Sequence, residues 1–325
     1  MSVDRLLFYC PDARTASGGV ETIYRHVAIL NESGFNAAVV HTRPGFRCAW
    51  LSTRAPVLSR GGVSAGNRDV VVLPEIWAGG VHDFNALTPI IIFNQNGYYT
   101  FPNGNEAQKA LVQAAYKAEN VAGVLTISDD TYALVGRLLP GLRRYRVRLG
   151  IDTQLFAPPA FKERIVSYLP RKNPEHSRAV LDSLATRGVL DRFDTVPIDG
   201  LSRAGVADVL RRSAVFLSFG HPEGLGLPAA EAMLCGCLVI GYHGGGGREF
   251  WKTTHSYAIE FGHLDRLVDA ATAAIAGLGS ETQLPVSAFG HRAASFVRQH
   301  LDPEAERASV VSTWTTILSD VEERR

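Results

Sequence analysis

In this chain of 325 residues, the side chains best suited to chemistry concentrate in His221-Pro-Glu223-Gly-Leu-Gly-Leu-Pro228-Ala-Ala-Glu231. Two carboxylates flank Gly224 and Gly226, and Pro228 pre-sets helical φ at a first turn. The amides of Leu225, Gly226 and Leu227 then fall at or just before a helix N-terminus. Unpaired N–H groups and the positive end of the helix dipole at such a place attract phosphate or sugar oxygens. The glycines let a ligand approach the backbone closely. Glu223, ahead of the helix, is placed to accept from sugar hydroxyls. Glu231, in the first or second turn, is placed to reach a vicinal diol such as that of ribose, because both carboxylate oxygens accept. The alternative is a pair of acids that only stabilise a helix N-terminus. Apolar runs on both sides, Val215 to Leu217 and Leu238 to Ile240, give the strand–loop–helix–strand setting that the chemical reading requires.

The elements that must position these residues read as parallel α/β throughout, since apolar runs alternate with helical patterns from end to end. Leu6 to Cys10 forms a first strand, followed by a loop closing on Gly18-Gly19 and a helix from about Val20 to Ser33. Its apolar stripe is Val20, Ile23, Val27 and Leu30, and Gly34 stops it. Further strands are expected at 37–41, 70–73, 90–93 and 124–127, then at 165–169, near 193–196, at 215–217 and at 238–240. Pro158-Pro159 make a stiff joint, which places an N-terminal Rossmann-like domain at 1–157 and a C-terminal one at 158–325. A last helix starts with Asp302 as N-cap and Pro303 at N1, carries the stripe Val310, Val311, Trp314, Ile317 and Leu318, and is free to pack back on the first domain.

The Glu223–Glu231 segment resembles the E-x7-E signature of retaining GT-B glycosyltransferases, in the large bacterial group called family four (glycosyl transferases group 1). Other landmarks follow in family order. Gly18-Gly19-Val20-Glu21 is similar to the opening glycine loop, Gly150-Ile151-Asp152 through Phe156-Ala157-Pro158 to the stretch entering the second domain, and Gly244 to Glu249 to the glycine-rich donor-side loop. The resemblance implies an α/β fold of two Rossmann-like domains facing across a cleft, with the acceptor on the N-terminal side and the nucleotide sugar on the C-terminal side. It implies that Glu223 contacts the transferred sugar, that Glu231 binds the ribose, and that Gly18, Gly19, Gly224, Leu225, Gly226, Leu227 and Gly245 lie at the donor. Arg171 and Lys172, after the strand ending at Leu169, take the family's diphosphate-holding places, although the usual spacing between the two is longer. An exposed basic pair is the alternative. Where many relatives carry a cleft histidine, this chain reads Asn94-Gln95-Asn96, which suits hydrogen bonding to an acceptor but not base catalysis; amides in a turn are the ordinary reading. His26 and His243 are the nearest histidines by sequence logic.

The implied reaction moves a sugar from a nucleoside-diphosphate sugar, the co-substrate, with no further cofactor. No Asp-x-Asp occurs in the chain, so basic side chains are expected in place of a metal. Rival readings are a non-hydrolysing sugar-nucleotide epimerase, whose acid/base set cannot be assembled here, and an inactive GT-B module that binds glycan or nucleotide. A dehydrogenase fails for want of G-x-G-x-x-G after the first strand.

Net charge is +1, so no polyanion-binding field covers the whole molecule, but the charge is uneven: residues 1–157 hold 15 Lys/Arg against 12 Asp/Glu. The stretch from Arg43 to Arg68 holds Arg47, Arg54 and Arg60 and no acid until Asp69. It reads as a solvated excursion or as a lip for an anionic acceptor, with Arg137, Arg143, Arg144, Arg146 and Arg148 adding to the field. Glycan, lipid-linked glycan and modified biopolymer all remain open as acceptors, and oligomeric state is not legible. Four cysteines in no metal or disulfide pattern favour a reducing compartment, with Cys235-Gly-Cys237 as small apolar residues flanking a strand. No leader and no apolar run of the ~20 residues a bilayer requires are seen, so a cytoplasmic protein is expected, with peripheral membrane contact left open.

Overall fold

The computed structural model describes residues 3–100, 106–281 and 283–324. The chain up to Leu149 packs with the residues from Glu304 onward as one compact unit, and Gly150–Pro303 form a second. The division falls ahead of the expected joint at 157/158. Ile151 and Phe156 are already buried with the second unit, and the Ile151 amide donates to Leu301 O at 3.0 Å.

In the first unit the elements run β1 (Arg5–Tyr9), α1 (Gly18–Glu32), β2 (Ala37–His41), β3 (Val57–Ser59), β4 (Asp69–Pro74), β5 (Ile90–Asn94), α2 (Glu106–Tyr116), β6 (Val121–Thr126), α3 (Asp129–Leu138) and β7 (Arg144–Arg146). The strands are parallel in the order β3-β2-β1-β4-β5-β6-β7, a doubly wound Rossmann order. Helices on a parallel sheet bury both faces, which is why β2, β4, β5 and β6 are buried at every position and consist largely of Val, Ile and Leu. In α1 the stripe Val20, Ile23, Val27 and Leu30 is buried. Gly34 adopts φ +88° just past its end, and the Phe35 amide returns to Leu30 O at 3.0 Å.

Two short strands depart from the sequence reading. β3 lies inside the stretch 43–68 that reads as loop. β7 takes Arg144 and Arg146 into the sheet edge. Arg144 donates to Tyr132 O at 2.7 Å, Arg146 pairs with Asp129 at 2.9 Å, and Arg143 pairs with Asp320 at 2.7 Å. Those three arginines are therefore committed to structure rather than to a field at the acceptor.

The C-terminal helix (Pro303–Glu323) buries Val310, Trp314, Ile317 and Val321, one face at spacings of four, three and four, while Val311 and Leu318 are only half-buried. Trp314 Nε1–H donates to His26 Nε2 at 2.6 Å, and the rings of Phe8 and Phe93 lie 5.5 and 5.3 Å from the imidazole. His26 is thus a core residue of the first unit. Burial holds it neutral, its pKa pushed down to about 3.

The second unit runs β8 (Phe161–Tyr168), α4 (Pro174–Thr186), β9 (Asp194–Pro197), α5 (Arg203–Arg212), β10 (Ser213–Ser218), α6 (Leu227–Leu234), β11 (Leu238–Tyr242), β12 (Tyr257–Ile259), α7 (Leu264–Ala276), β13 (Leu284–Pro285) and α8 (Ala288–His300). Strand order is β12-β11-β10-β8, with β9 parallel along Ile165–Tyr168 and β13 antiparallel along Phe161–Lys162 at the other edge of β8. Helices α4 and α6 leave the C-terminal ends of β8 and β10, where open parallel sheets bind ligands. Cys235 and Cys237 are buried at the turn between α6 and β11, and all four cysteines are free thiols. Among the described residues, no helix is long and apolar enough to cross a membrane.

Candidate functional site

The β10–α6 loop carries Glu223, and its path is set by a second loop lying beneath it. The Glu223 amide donates to Gly244 O at 2.7 Å, and the Gly246 amide donates to Glu223 O at 3.2 Å, which makes a short parallel bridge between Glu223 and Gly245. Only glycine permits this approach. A Cβ on Gly244 would sit 2.6 Å from Glu223 Cβ, and one on Gly246 would sit 1.8 Å from Gly224 O. The sequence reading places Gly245 at the donor. Its amide donates to His243 Nδ1 at 3.0 Å, leaving the other ring nitrogen towards Glu260 Oε1 at 3.4 Å. His243 and the glycine loop therefore act first as a support for Glu223.

A pocket opens where β8, β10 and β11 end, lined among others by Lys172, Ser218, Glu223, Gly226, Tyr242 and His243. Lys172 Nζ lies 2.6 Å from Glu223 Oε1, with side-chain exposures of 30% and 19%. Of the basic pair, Lys172 lines this pocket and Arg171 is exposed beside it, outside the lining. The loop is held in place by Asn173, a residue that the sequence reading passed over. It caps α4 in the left-handed conformation, φ +45°, and its amide donates to Phe219 O at 2.7 Å and His221 O at 3.0 Å. Asparagine tolerates that conformation better than most residues, and its place just before Pro174 at the helix start was the available signal.

Helix α6 begins at Leu227, with Gly226 as N-cap at φ +84°. The amides of Gly224, Leu225, Gly226 and Leu227 donate to no acceptor among the described residues. Of these residues Gly226 lines the pocket together with Lys172, and an amide donor with an ammonium suits diphosphate oxygens. Glu231 lies one turn further along, its carboxylate 8% exposed and 3.0 Å from Arg203 Nη1. Arg203, at the start of α5, is a second residue that sequence reasoning missed, because nothing local marks it. Beside the pocket the rings of His221 and Phe261 stack at 4.2 Å, and His176 stacks on Phe261 at 5.1 Å. Burial, then the nearby His243 and Arg248, lower the His221 pKa.

The first unit holds the remaining candidates. Gly18 and Gly19 start α1 and are exposed, and Gln95 Nε2 donates to Gly19 O at 3.1 Å, so the sheet brings these together. Asn94 and Asn96 are not presented with Gln95. Asn94 is fully buried and donates to Thr100 Oγ1 and Tyr116 Oη, while Asn96 Oδ1 accepts from the Tyr98 amide. Alternation along an extended segment sends side chains inward and outward in turn, so one of the three faces solvent. Beneath them Glu75, which the sequence reading did not single out, accepts the Gln95 and Asn96 amides at 3.1 and 3.2 Å. Burial lifts its pKa to about 7.

The stretch after β2 is pinned to the β1–α1 loop. Trp50 Nε1–H donates to Ala13 O at 3.0 Å, and Asp12 accepts from the Thr42 and Arg43 amides. Arg43, Arg60 and Arg68 pair with Asp12, Asp83 and Asp4, whereas the exposed Arg47 and Arg54 have no ion pair among the described residues.

Two Rossmann-like units, the second with paired glutamates around a loop–helix junction, are the architecture of GT-B glycosyltransferases, and the chain has that fold. No protein-family model matches it. Among curated proteins it is similar to the alpha-1,6-glucosyltransferase of Actinobacillus pleuropneumoniae serotype 7 (strain AP76), 24% identical over 261 residues, which cover 75% of this chain and 74% of that protein. Among solved structures it is similar to sucrose-phosphate synthase from Thermosynechococcus elongatus, with TM-score 0.73 and 15% identity over 97% of this chain and 99% of that one. Anabaena HepE, solved in complex with UDP and glucose, gives TM-score 0.72 and 14% identity over 96% of this chain and 99% of that one.

Proposed function

We propose that this glycosyltransferase is a retaining, metal-independent hexosyltransferase, with the nucleoside-diphosphate sugar bound by the second unit and the acceptor by the first. The observation that carries the reading is the Lys172–Glu223 pair in a pocket next to the unpartnered amides of α6. In this reading Glu223 takes sugar hydroxyls, Glu231 takes the ribose diol, and Lys172, Arg171 and the amides of Gly224 to Leu227 hold the diphosphate. The glucosyltransferase relative and the UDP and glucose in the HepE structure make UDP-glucose the first donor to try.

The bond from the anomeric carbon to the diphosphate oxygen breaks through an oxocarbenium-like transition state, and the acceptor oxygen bonds to the same face. Its proton passes to the departing diphosphate, so no side-chain base is needed. Negative charge grows on the leaving oxygens, where preorganised donors contribute most. The chain lacks Asp-x-Asp, and Lys172 supplies the cation that a metal would otherwise provide. On the first unit Gln95 and the exposed Arg47 and Arg54 are the acceptor-side candidates, which favours an anionic glycan. The free thiols support a cytoplasmic setting.

The test is incubation of the purified chain with UDP-glucose in EDTA, following UDP release and the anomer of the sugar product by NMR. α-Glucose or an α-glucoside appearing at an undiminished rate supports the proposal. A β product, or a rate abolished by EDTA and restored by Mg²⁺ or Mn²⁺, sinks it.

A further inference from the structure

We infer that Arg203 is a positioning residue for nucleotide recognition, held by the aromatic floor of Phe156 and acting through Glu231; this rests on the donor reading above. The parts form one chain of contacts inside the second unit. Asp152 Oδ1 accepts the amides of Gln154 and Leu155 at 3.0 and 2.9 Å, and the Phe156 amide donates to Asp152 O at 3.0 Å. That closed turn delivers the Phe156 ring to a fully buried site. The Arg203 guanidinium lies over the ring, 5.0 Å from its centroid, and Nη1 donates to Glu231 Oε1 at 3.0 Å.

Each contact constrains the next. A glutamate has three torsions, and in a helix its carboxylate can sample several directions. Glu231 is 6% exposed, so a rotamer that lost Arg203 would leave a buried charge without its partner. Arginine suits the task because its planar guanidinium stacks on the aromatic face while its edge donates to the carboxylate, which lysine cannot do. The residues from Asp152 to Phe156, a landmark with no chemistry of its own, thereby acquire a role: they fix the floor under the arginine that orients the ribose-binding acid.

The test compares binding of UDP with that of its 2′,3′-dideoxy analogue, which lacks the diol, by calorimetry; GDP or ADP and the matching analogue are used if the wild type binds one of them more tightly. A charge-assisted hydrogen bond of the usual strength corresponds to about ten- to hundredfold in affinity. The wild type should prefer the ribose form by about that factor. Arg203→Met should bring the ratio close to one while leaving affinity for the dideoxy analogue within about twofold. Arg203→Lys should restore part of the ratio, and Phe156→Leu should lower it with Arg203 intact. Equal weakening of both nucleotides in Arg203→Met, or a ratio unchanged in Arg203→Met and Arg203→Lys, overturns the inference while leaving the donor reading standing. A wild type that binds no nucleoside diphosphate overturns both.

Discussion

Lys172 and Glu223 come from different crossovers of one sheet, yet Nζ and Oε1 meet at 2.6 Å in the wall of one pocket. Asn173 makes the meeting possible, since its side chain ties the end of the β8–α4 loop to the carbonyls of Phe219 and His221. In the proposed reading the ammonium faces the diphosphate and the carboxylate faces the sugar hydroxyls.

Lys172→Met should therefore lower kcat for sugar transfer or donor hydrolysis by about 10²–10³, the loss expected when a preorganised charge facing a leaving group is removed. KM for the donor should change less, because the charge on the diphosphate grows towards the transition state. Glu223→Gln should lower kcat/KM as well, since one oxygen no longer accepts. Steady-state UDP release measures both, and a Lys172→Met enzyme with wild-type kcat would remove the lysine from the chemistry.

The glycine loop under Glu223 gives a second expectation. Gly246→Ala drives a methyl to 1.8 Å from Gly224 O, and the backbone must move to relieve it. Displacement of this kind costs about 1–3 kcal/mol and here falls on the Gly224–Leu225 peptide, next in the chain to Glu223. Gly61→Ala has nothing within 4 Å of its new methyl. The first variant should lose most activity and some melting temperature, the second neither. Comparable activities and melting temperatures would show that the loop is not tuned to this contact.

How much of this was legible beforehand depends on whether the signal was local. The strands β1, β2, β4, β5, β10 and β11 were readable because each is an apolar run covered on both faces. The short β3 and β7 were not, since three residues ending in serine or arginine have no periodicity to find. At the site, Glu223, Glu231 and Lys172 stood out from residue type and order. Arg203, Asn173 and Glu75 did not, because their partners are distant in the chain. Trp314 was readable as part of the last helix's apolar stripe, but its contact with His26, 288 positions away, was not. Asn94 and Asn96 looked like surface amides because a run of three such residues does not reveal which one points outward.

Pairing also separates the arginines of the first unit. Arg60 bonds Asp83, so its replacement should leave transfer to an acceptor unchanged. Arg47→Ser and Arg54→Ser together should raise KM for an anionic oligosaccharide acceptor at low salt, leave KM for UDP-glucose alone, and lose their effect as ionic strength rises past the range where surface charges are screened. Oligogalacturonate compared with a neutral oligosaccharide provides the measurement. Equal KM values in wild type and double variant for the charged acceptor would reduce the arginines to solvated surface.

The pH dependence of the first unit's stability follows from two buried groups of opposite sign. His26 is held neutral with its pKa pushed from 6.5 to about 3, so it contributes stability above pH 6.5 that is lost as pH falls towards 3. Glu75 has its pKa lifted from 4.5 to about 7, so its contribution is fully present below pH 4.5 and is lost as pH rises through 7. His41, lowered by burial and opposed by Asp12, acts in the same direction as His26. Asp12 and Asp69 stay charged below their ordinary value of 3.8, because Thr42 and Arg5 respectively donate to them, and so matter only in stronger acid. Between pH 4.5 and 6.5 the slopes of His26 and Glu75 offset each other, which leaves the smaller rise with pH that His41 contributes. The urea midpoint of the first unit, with exchange protection of the β1 amides as its local readout, should rise only weakly with pH there. Glu75→Gln should unmask a midpoint that rises with pH across the window. His26→Gln, which keeps an acceptor for Trp314 without a titrating ring, should unmask a fall. Parallel profiles for the wild type and both variants would mean that neither group changes its proton affinity on folding.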